Sequence, residues 1–383
     1  MSEDLRRYCE IHGIPEVSDL KPGMDFRRPE YRREVWLRFY EFHLKHRTHP
    51  GLVYLFFPYL AEKYGWDMEQ RLWFAYINGC TQNPCTTMAV FAEFPDLKSL
   101  KIDEMERWHR EHWKKLDYDI DRRYQKGHLV EMTQDYLKHL AGRTQEEFFN
   151  GFLGDPDPRR QFDKTWDYVY NRFFMYGRLS SFSYIEYLKI MGVPVEFTTF
   201  FMDDLQGSKS HRNGILKVCG RDDLDWHGGE NGVTTHSPEV VRFADEQALI
   251  LLEEARRRFA GREFIGSVGI ETMESTLCCY KSWYRHNRRY PNVYTDMSYD
   301  RIKKAERLWE GKRDFAVFWE ARERCLPKEL LLEKCPEDPG LVPYKQNWFR
   351  ETGEVIMMDV DDPVFANHWN EEAKRRLKQQ TLF

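Results

Sequence analysis

Apolar residues along this 383-residue chain recur at helical spacing far more often than they alternate, and that periodicity excludes most sheet-based folds. Residues 31–46 place Val35, Phe39 and Phe42 at intervals of three to four on one face. The same spacing predicts helices over 68–77, 84–94, 102–116, 129–140, 162–176, 181–191, 238–260, 267–284 and 299–309. Shorter helices follow to about residue 332, with one more near 363–377. End signals agree with the periodicity. Ser237 is placed to cap the 238–260 helix, Pro238 takes a first-turn position that needs no N–H, and Gly261 follows as a stop. Alternation is confined to 354–359 (EVIMMD) and, less clearly, 196–201 (EFTTFF). The expected class is therefore all-α or nearly so.

Aromatic residues make up 15% of the chain, which excludes a disordered polymer. The length suits one large domain or two ordinary ones. The loop at 151–160 (GFLGDPDPRR) is the natural divider. It gives an N-terminal helical lobe (1–150), a C-terminal catalytic lobe (151–324) and an acidic tail (325–383) packing on the core. A second concentration of glycines, at 207–232, reads as a long functional loop. Eight cysteines show neither CxxC nor zinc-ligand spacing and read as reduced thiols of a cytosolic protein. The N-terminus lacks the apolar stretch of a signal peptide. No apolar run reaches the ~18 residues of a membrane span, so no membrane association is expected. The other histidines form no HExxH and read as surface or core residues.

The net charge of −5 excludes a globally basic surface but conceals a local one. Residues 256–324 hold 16 Lys and Arg against 10 Asp and Glu, whereas residues 325–383 hold 8 against 11.

Three constellations carry possible chemistry. Around Asn83-Pro84, one helix ends and another begins, and the bend displays Asn78, Gln82 and Asn83. Amide side chains there suit the edge of a base, or they only satisfy a tight helical corner. Between Gly177 and Asp225 lie GRLSSFSYIEYL, with Arg178, and MDDLQGSKSHRNG. Lys209, Ser210, His211, Arg212 and Asn213 have an anion-binding composition although no P-loop is present. Asp203 and Asp204 just upstream suit a metal or a base. In the third, 267–296, helical spacing puts Glu271, Glu274, Cys278 and Lys281 on one face. Beside them Ile270, Met273, Leu277 and Tyr280 form an apolar stripe, so the polar row should lie at the rim of the core. Arg288, Arg289 and Tyr290 then form a basic and aromatic cluster.

The strings FAYINGCTQNPCTT, GRLSSFSYIEYL with DDLQGSKSHRNG, and ETMESTLCCYKS with RRYPNVYTD resemble one phage family. It is the alpha-glutamyl/putrescinyl thymine pyrophosphorylase family, also described as amino acid:DNA transferases. The resemblance runs from about Trp73 to Asp296. It implies a two-lobed helical fold related to helix-hairpin-helix DNA glycosylases, at work in the cytoplasm of an infected bacterium. The implied partners are double-stranded phage DNA carrying pyrophosphorylated hydroxymethyluracil and a free amino acid or polyamine. The implied reaction displaces pyrophosphate from 5-pyrophosphomethyl-deoxyuridine with the donor amine.

The residues suit such chemistry. Lys209, Arg212, Lys281, Arg288 and Arg289 would stabilise the leaving anion, with His211 as a further candidate. Asp203, Asp204 or Glu271 would deprotonate the amine. Attack by Cys278 on C6 of the base is an open alternative. Mg²⁺ held by Asp203 or Asp204 is open too. Two rival functions remain at this stage: a DNA glycosylase acting on a modified pyrimidine, and a non-catalytic modified-DNA-binding protein.

Overall fold

The computed structural model describes residues 32–204, 209–224, 236–280 and 293–326. Among them every regular element is helical. The chain runs through α1 (Arg32–His46), α2 (Val53–Tyr64), α3 (Met68–Thr81), α4 (Pro84–Glu93) and α5 (Ile102–His112). It continues through α6 (Leu129–Leu140), α7 (Gln145–Leu153), α8 (Pro158–Arg172) and α9 (Arg178–Met191). The last five are α10 (Lys209–Val218), α11 (Pro238–Arg258), α12 (Ile270–Tyr280), α13 (Val293–Leu308) and α14 (Ala316–Cys325).

Local chemistry sets the helix starts. Asp67 and Gln70 form a reciprocal capping box before α3, and Thr144 and Glu147 form another before α7. Asn83, Asp157 and Ser237 each accept backbone N–H bonds ahead of a first-turn proline in α4, α8 and α11. The Asp157 cap is why α8 begins before the expected residue 162. The expected 102–116 helix closes earlier, at His112, in a 3₁₀ turn over Trp113–Lys115.

Two expectations are corrected. Residues 196–201 form no strand. Burial does not alternate along them: Phe197 and Phe200 are buried, and Phe197 lies against helices rather than a neighbouring strand. Phe197 packs its ring 4.9 Å from both Phe162 and Phe182. The glycine-rich 207–232 stretch is not one long loop, since α10 occupies 209–218. His211, Arg212, Ile215 and Leu216 are buried along it at helical spacing. The elements expected at 354–359 and 363–377 lie outside the described residues, as does the tail beyond 326.

The chain forms two compact units that interleave in sequence. Within the described residues, one combines 32–50 with the 199–296 stretch, and the other combines 51–198 with 297–325. The 151–160 loop therefore lies inside the second unit, where α7 and α8 pack together across it.

In the second unit α3 is buried from Leu72 to Thr81 and packs on α9. The two helices approach at Gly79, where a Cβ would sit 2.6 Å from the Tyr176 hydroxyl and 3.4 Å from Tyr184. Around this crossing Tyr76 stacks on Tyr136 at 3.9 Å, and Tyr184 donates to the Tyr136 hydroxyl. Burial pushes the neighbouring Cys80 thiol up to about 12. In the first unit α10 packs on α12, with α1 and α11 alongside. Trp36, Tyr40, Ile215, Leu216, Leu251, Met273, Leu277 and Tyr280 fill its core. Arg33 and Glu254 make a buried ion pair at 2.9 Å. No described helix is long and apolar enough to cross a membrane.

Two predictions follow from this packing. A Cβ on Gly214 would lie 2.2 Å from the Leu277 carbonyl oxygen, against backbone that cannot rotate away. Gly214→Ala should therefore lower the unfolding free energy by ~3 kcal/mol in urea denaturation. In the same unit burial holds His43 well below its ordinary range and pushes His49 down to about 3. The unfolded chain protonates these rings near 6.5 and the folded chain does not. Their contribution is thus complete above that pH and is lost as the pH falls toward the folded values. Stability should drop by about 1.4 kcal/mol per pH unit per ring below 6.5. His49→Asn should flatten that slope in urea melts compared at about pH 7 and about pH 5.5.

Candidate functional site

Each unit brings together two of the stretches singled out in the sequence. In the first, SHRNG on α10 meets ETMES on α12 because Gly214 lets the backbones touch. The contact places His211 against Glu274, both almost fully buried, with Nδ1 3.5 Å from Oε1. The other ring nitrogen lies 2.8 Å from the Phe200 carbonyl. A carbonyl only accepts, so Nε2 carries a proton.

Glu271 sits one turn earlier on α12, also buried. Gly269 makes room for its carboxylate, since a Cβ there would lie 2.7 and 2.8 Å from the two oxygens. Thr272 fixes the start of the helix by donating to the Ser267 carbonyl and exchanging a 2.7 Å hydrogen bond with Tyr40. Cys278 follows Glu274 by four residues on the same face and is half-buried. The polar row thus enters the core rather than following its rim.

Arg212 is buried and works on backbone. Its Nη1 donates to the carbonyls of Met202 and Asp204, each at 2.7 Å. Its Nε donates to His236 Nδ1, while His236 Nε2 donates to the Leu224 carbonyl. The guanidinium therefore fixes the segment bearing Asp203, which is exposed, and Asp204, which is half-buried. Asp245 on α11 faces this segment, and its carboxyl is raised by burial and by the negative charge of Asp203. Lys209, Ser210 and Asn213 lie half-exposed on α10.

In the second unit the α3–α4 corner differs from the expected display of amides. Asn78 and Asn83 are buried. Asn78 accepts from the Thr87 hydroxyl, and Asn83 caps α4 while donating to the Asp117 carbonyl. These amides satisfy the corner itself. Gln82 alone of the three is half-buried, in a left-handed conformation (φ 49°), and its Oε1 has no hydrogen-bond partner among the described residues. Arg178 opens α9 with its guanidinium 4.9 Å over the Phe182 ring.

Lys281, Arg288, Arg289 and Tyr290 lie outside the described residues. No group of three potential metal ligands occurs among the described residues. Sequence reasoning gave no role to Glu274, His236 or Asp245. The spacing of Glu271 and Glu274 was a signal for the first, but the other two come from distant segments. Arg122 was missed as well. It is buried and donates to the carbonyls of Gly79 and Leu179, joining α3 to the start of α9.

The profile of the amino acid:DNA transferases matches residues 56–290, a span that contains all four stretches. A serinyltransferase of Salmonella phage ViI is 30% identical over 358 residues, covering 86% of this chain and 83% of its own. No solved structure matches the chain.

Arg212→Met keeps the bulk of the side chain but removes the donors to Met202, Asp204 and His236. It should lower stability by at least ~2 kcal/mol. Hydrogen exchange of the amides around Asp203 and Asp204 should accelerate in parallel. Unchanged exchange there would show that Arg212 does not hold the segment.

Proposed function

The chain belongs to the amino acid:DNA transferase family, and from that premise we propose that it joins an amino acid's amine to the C5 methylene of a modified pyrimidine in phage DNA. Pyrophosphate is the proposed leaving group. A new N–C bond forms, the C–O bond to pyrophosphate breaks, and the electron pair leaves with the anion. The proton of the ammonium donor passes to a base.

The observation that carries this reading is the buried row of Glu271, Glu274 and His211 where α10 crosses α12, with Cys278 on the same helix face. Buried carboxylates beside a nucleophile's site serve to accept a proton. Glu271 is the proposed base, and Asp203 or Asp204 is the alternative. Glu274 and His211 act as a positioning pair beside it. Lys209, Ser210 and Asn213 are assigned to the pyrophosphate, joined by Lys281, and Mg²⁺ at Asp203 is a compatible aid.

Arg178, Arg288, Arg289 and Tyr290 are assigned to the DNA, and Gln82 to the edge of the pyrimidine. The reacting base leaves the stack, as glycosylases require, and a glycosylase-like scaffold belongs to the same proposal. The reaction takes place in the infected bacterial cell. The name of the relative from phage ViI makes serine the first donor to test.

Duplex DNA bearing 5-pyrophosphomethyl-deoxyuridine, incubated with the protein and single amino acids, should yield a new nucleoside by mass spectrometry together with free pyrophosphate. Release of free base would overturn the reading in favour of a glycosylase. Glu271→Gln should slow transfer by roughly 100-fold or more. Gly269→Ala should slow it less while leaving the melting temperature nearly unchanged, because only the flexible end of Glu271 must move. Full turnover by Cys278→Ser would remove the covalent route.

A further inference from the structure

Among the described residues, large apolar side chains that stay exposed are few, and four of them lie on two adjoining segments of the second unit. Ile120 is 69% exposed, Tyr124 50%, Leu179 44% and Phe174 43%. The segments are tied together. Gln125 donates to the Met175 carbonyl at 2.8 Å and to the Ser180 hydroxyl at 3.3 Å. Tyr124 and Ser180 hydroxyls lie 3.5 Å apart, and Arg122 donates to the Leu179 carbonyl at 3.2 Å. Two segments braced in this way, a 3₁₀ turn over Arg123–His128 and the approach to and first turn of α9, hold their exposed side chains in place. Exposed apolar groups concentrated on one surface mark a contact with another molecule.

The charge around them identifies the partner. Residues 120–126 and 172–180 carry Arg122, Arg123, Lys126, Arg172 and Arg178 against Asp121; the neighbouring Asp119 is paired with Arg301, and Asp135 accepts from the Phe174 N–H and faces His139, so both acids are engaged within the unit. Arg122 is 1% exposed and makes no ion pair among the described residues, where its guanidinium bonds only to carbonyls. A cation buried without a counter-charge projects a positive field through the low-dielectric interior to the surface above it. Arg123 is exposed and makes no ion pair among the described residues either. Cations interleaved with aromatic and aliphatic groups fit a polymer with phosphates outside and flat apolar faces inside.

We propose that segments 120–124 and 174–179 form a DNA-contacting surface. Tyr124, Phe174, Leu179 and Ile120 pack against bases and sugars, and Arg123 and Arg178 lie on phosphates. Arg122 is a positioning residue that joins the two segments and biases the field. The assignment rests on the family reading that DNA is the substrate. It adds a surface distant in sequence from the α10–α12 row, built from residues with no part in the transfer chemistry.

The test uses the full chain and a fluorescein-labelled, unmodified duplex of roughly 20 base pairs, followed by anisotropy. The Tyr124→Ala/Phe174→Ala double variant should bind at least about tenfold more weakly, because each lost stacking contact is worth that order. Arg123→Ala should reduce the slope of log Kd against log salt by about 0.9. Leu249→Ala, which removes an exposed apolar group from the other unit, should bind as the wild type does. All three sites are exposed, so melting temperatures should agree with the wild type and exclude misfolding.

Wild-type affinity in both surface variants would overturn the proposal, as would failure of the wild type to bind the duplex. So would a wild-type dimer in sedimentation velocity that the double variant abolishes while DNA binding persists, since the patch would then serve self-association. Transfer assays keep the two readings apart. A wild type that binds DNA through this surface but transfers nothing defeats only the chemistry, and one that transfers normally with the surface variants unaffected defeats only the surface.

Discussion

The closeness of α10 to α12, permitted by the missing side chain of Gly214 at the Leu277 backbone, is the constraint from which the first unit is built. With the helices this near, the side chains flanking the contact cannot remain at a surface. His211, Arg212 and Glu274 go inward, and each must then find a partner, because an unsatisfied buried charge is among the most destabilising features a protein can carry. His211 takes the Phe200 carbonyl and Glu274, and Arg212 takes two carbonyls and His236. The polar row is therefore fixed by packing rather than by loop conformation. A site built on crossing helices is held more tightly than one carried by loops.

The second unit repeats the device with different chemistry. Gly79 brings α3 to α9, and the groups forced together are mostly phenols, whose hydroxyls pair among themselves and with backbone carbonyls. Arg122 completes the crossing by bonding a carbonyl from each helix. Both units thus place a glycine where two helices meet and a buried arginine on the neighbouring backbone. The arginine in the first unit also has a histidine partner, whereas that in the second has carbonyls alone.

Helix content was legible because the evidence for it is local. Caps at Asn83, Asp157 and Ser237 and the apolar spacing of α12 depend on a few consecutive residues. The same locality explains the failures. The glycines of 207–232 spoke for a loop, and only contact with α12 shows that Gly214 is there for closeness rather than flexibility. The alternation at 196–201 suggested a strand, but it could not say that helices would lie against Phe197, and burial there does not follow the alternation. Glu271 and Cys278 could be placed on one face by counting, yet the pairing of Glu274 with His211 joins residues 63 positions apart. The amides of Asn78 and Asn83 looked available because their partners, Thr87 and Asp117, become neighbours only in the folded corner.

The interleaving of the two units has a consequence for the order in which the protein can be made. α1 leaves the ribosome early, but α10, α11 and α12, which cover Trp36, Phe39 and Tyr40, are encoded roughly 150 residues or more downstream. At synthesis rates of about 5–20 residues per second, that apolar face waits on the order of ten to thirty seconds without its partners. The second unit lacks α14 for a similar interval after α2 has appeared. Neither unit can close around its core until its last helices have been made, so folding of both waits on the later segments, and the nascent protein depends on being kept from its neighbours until then.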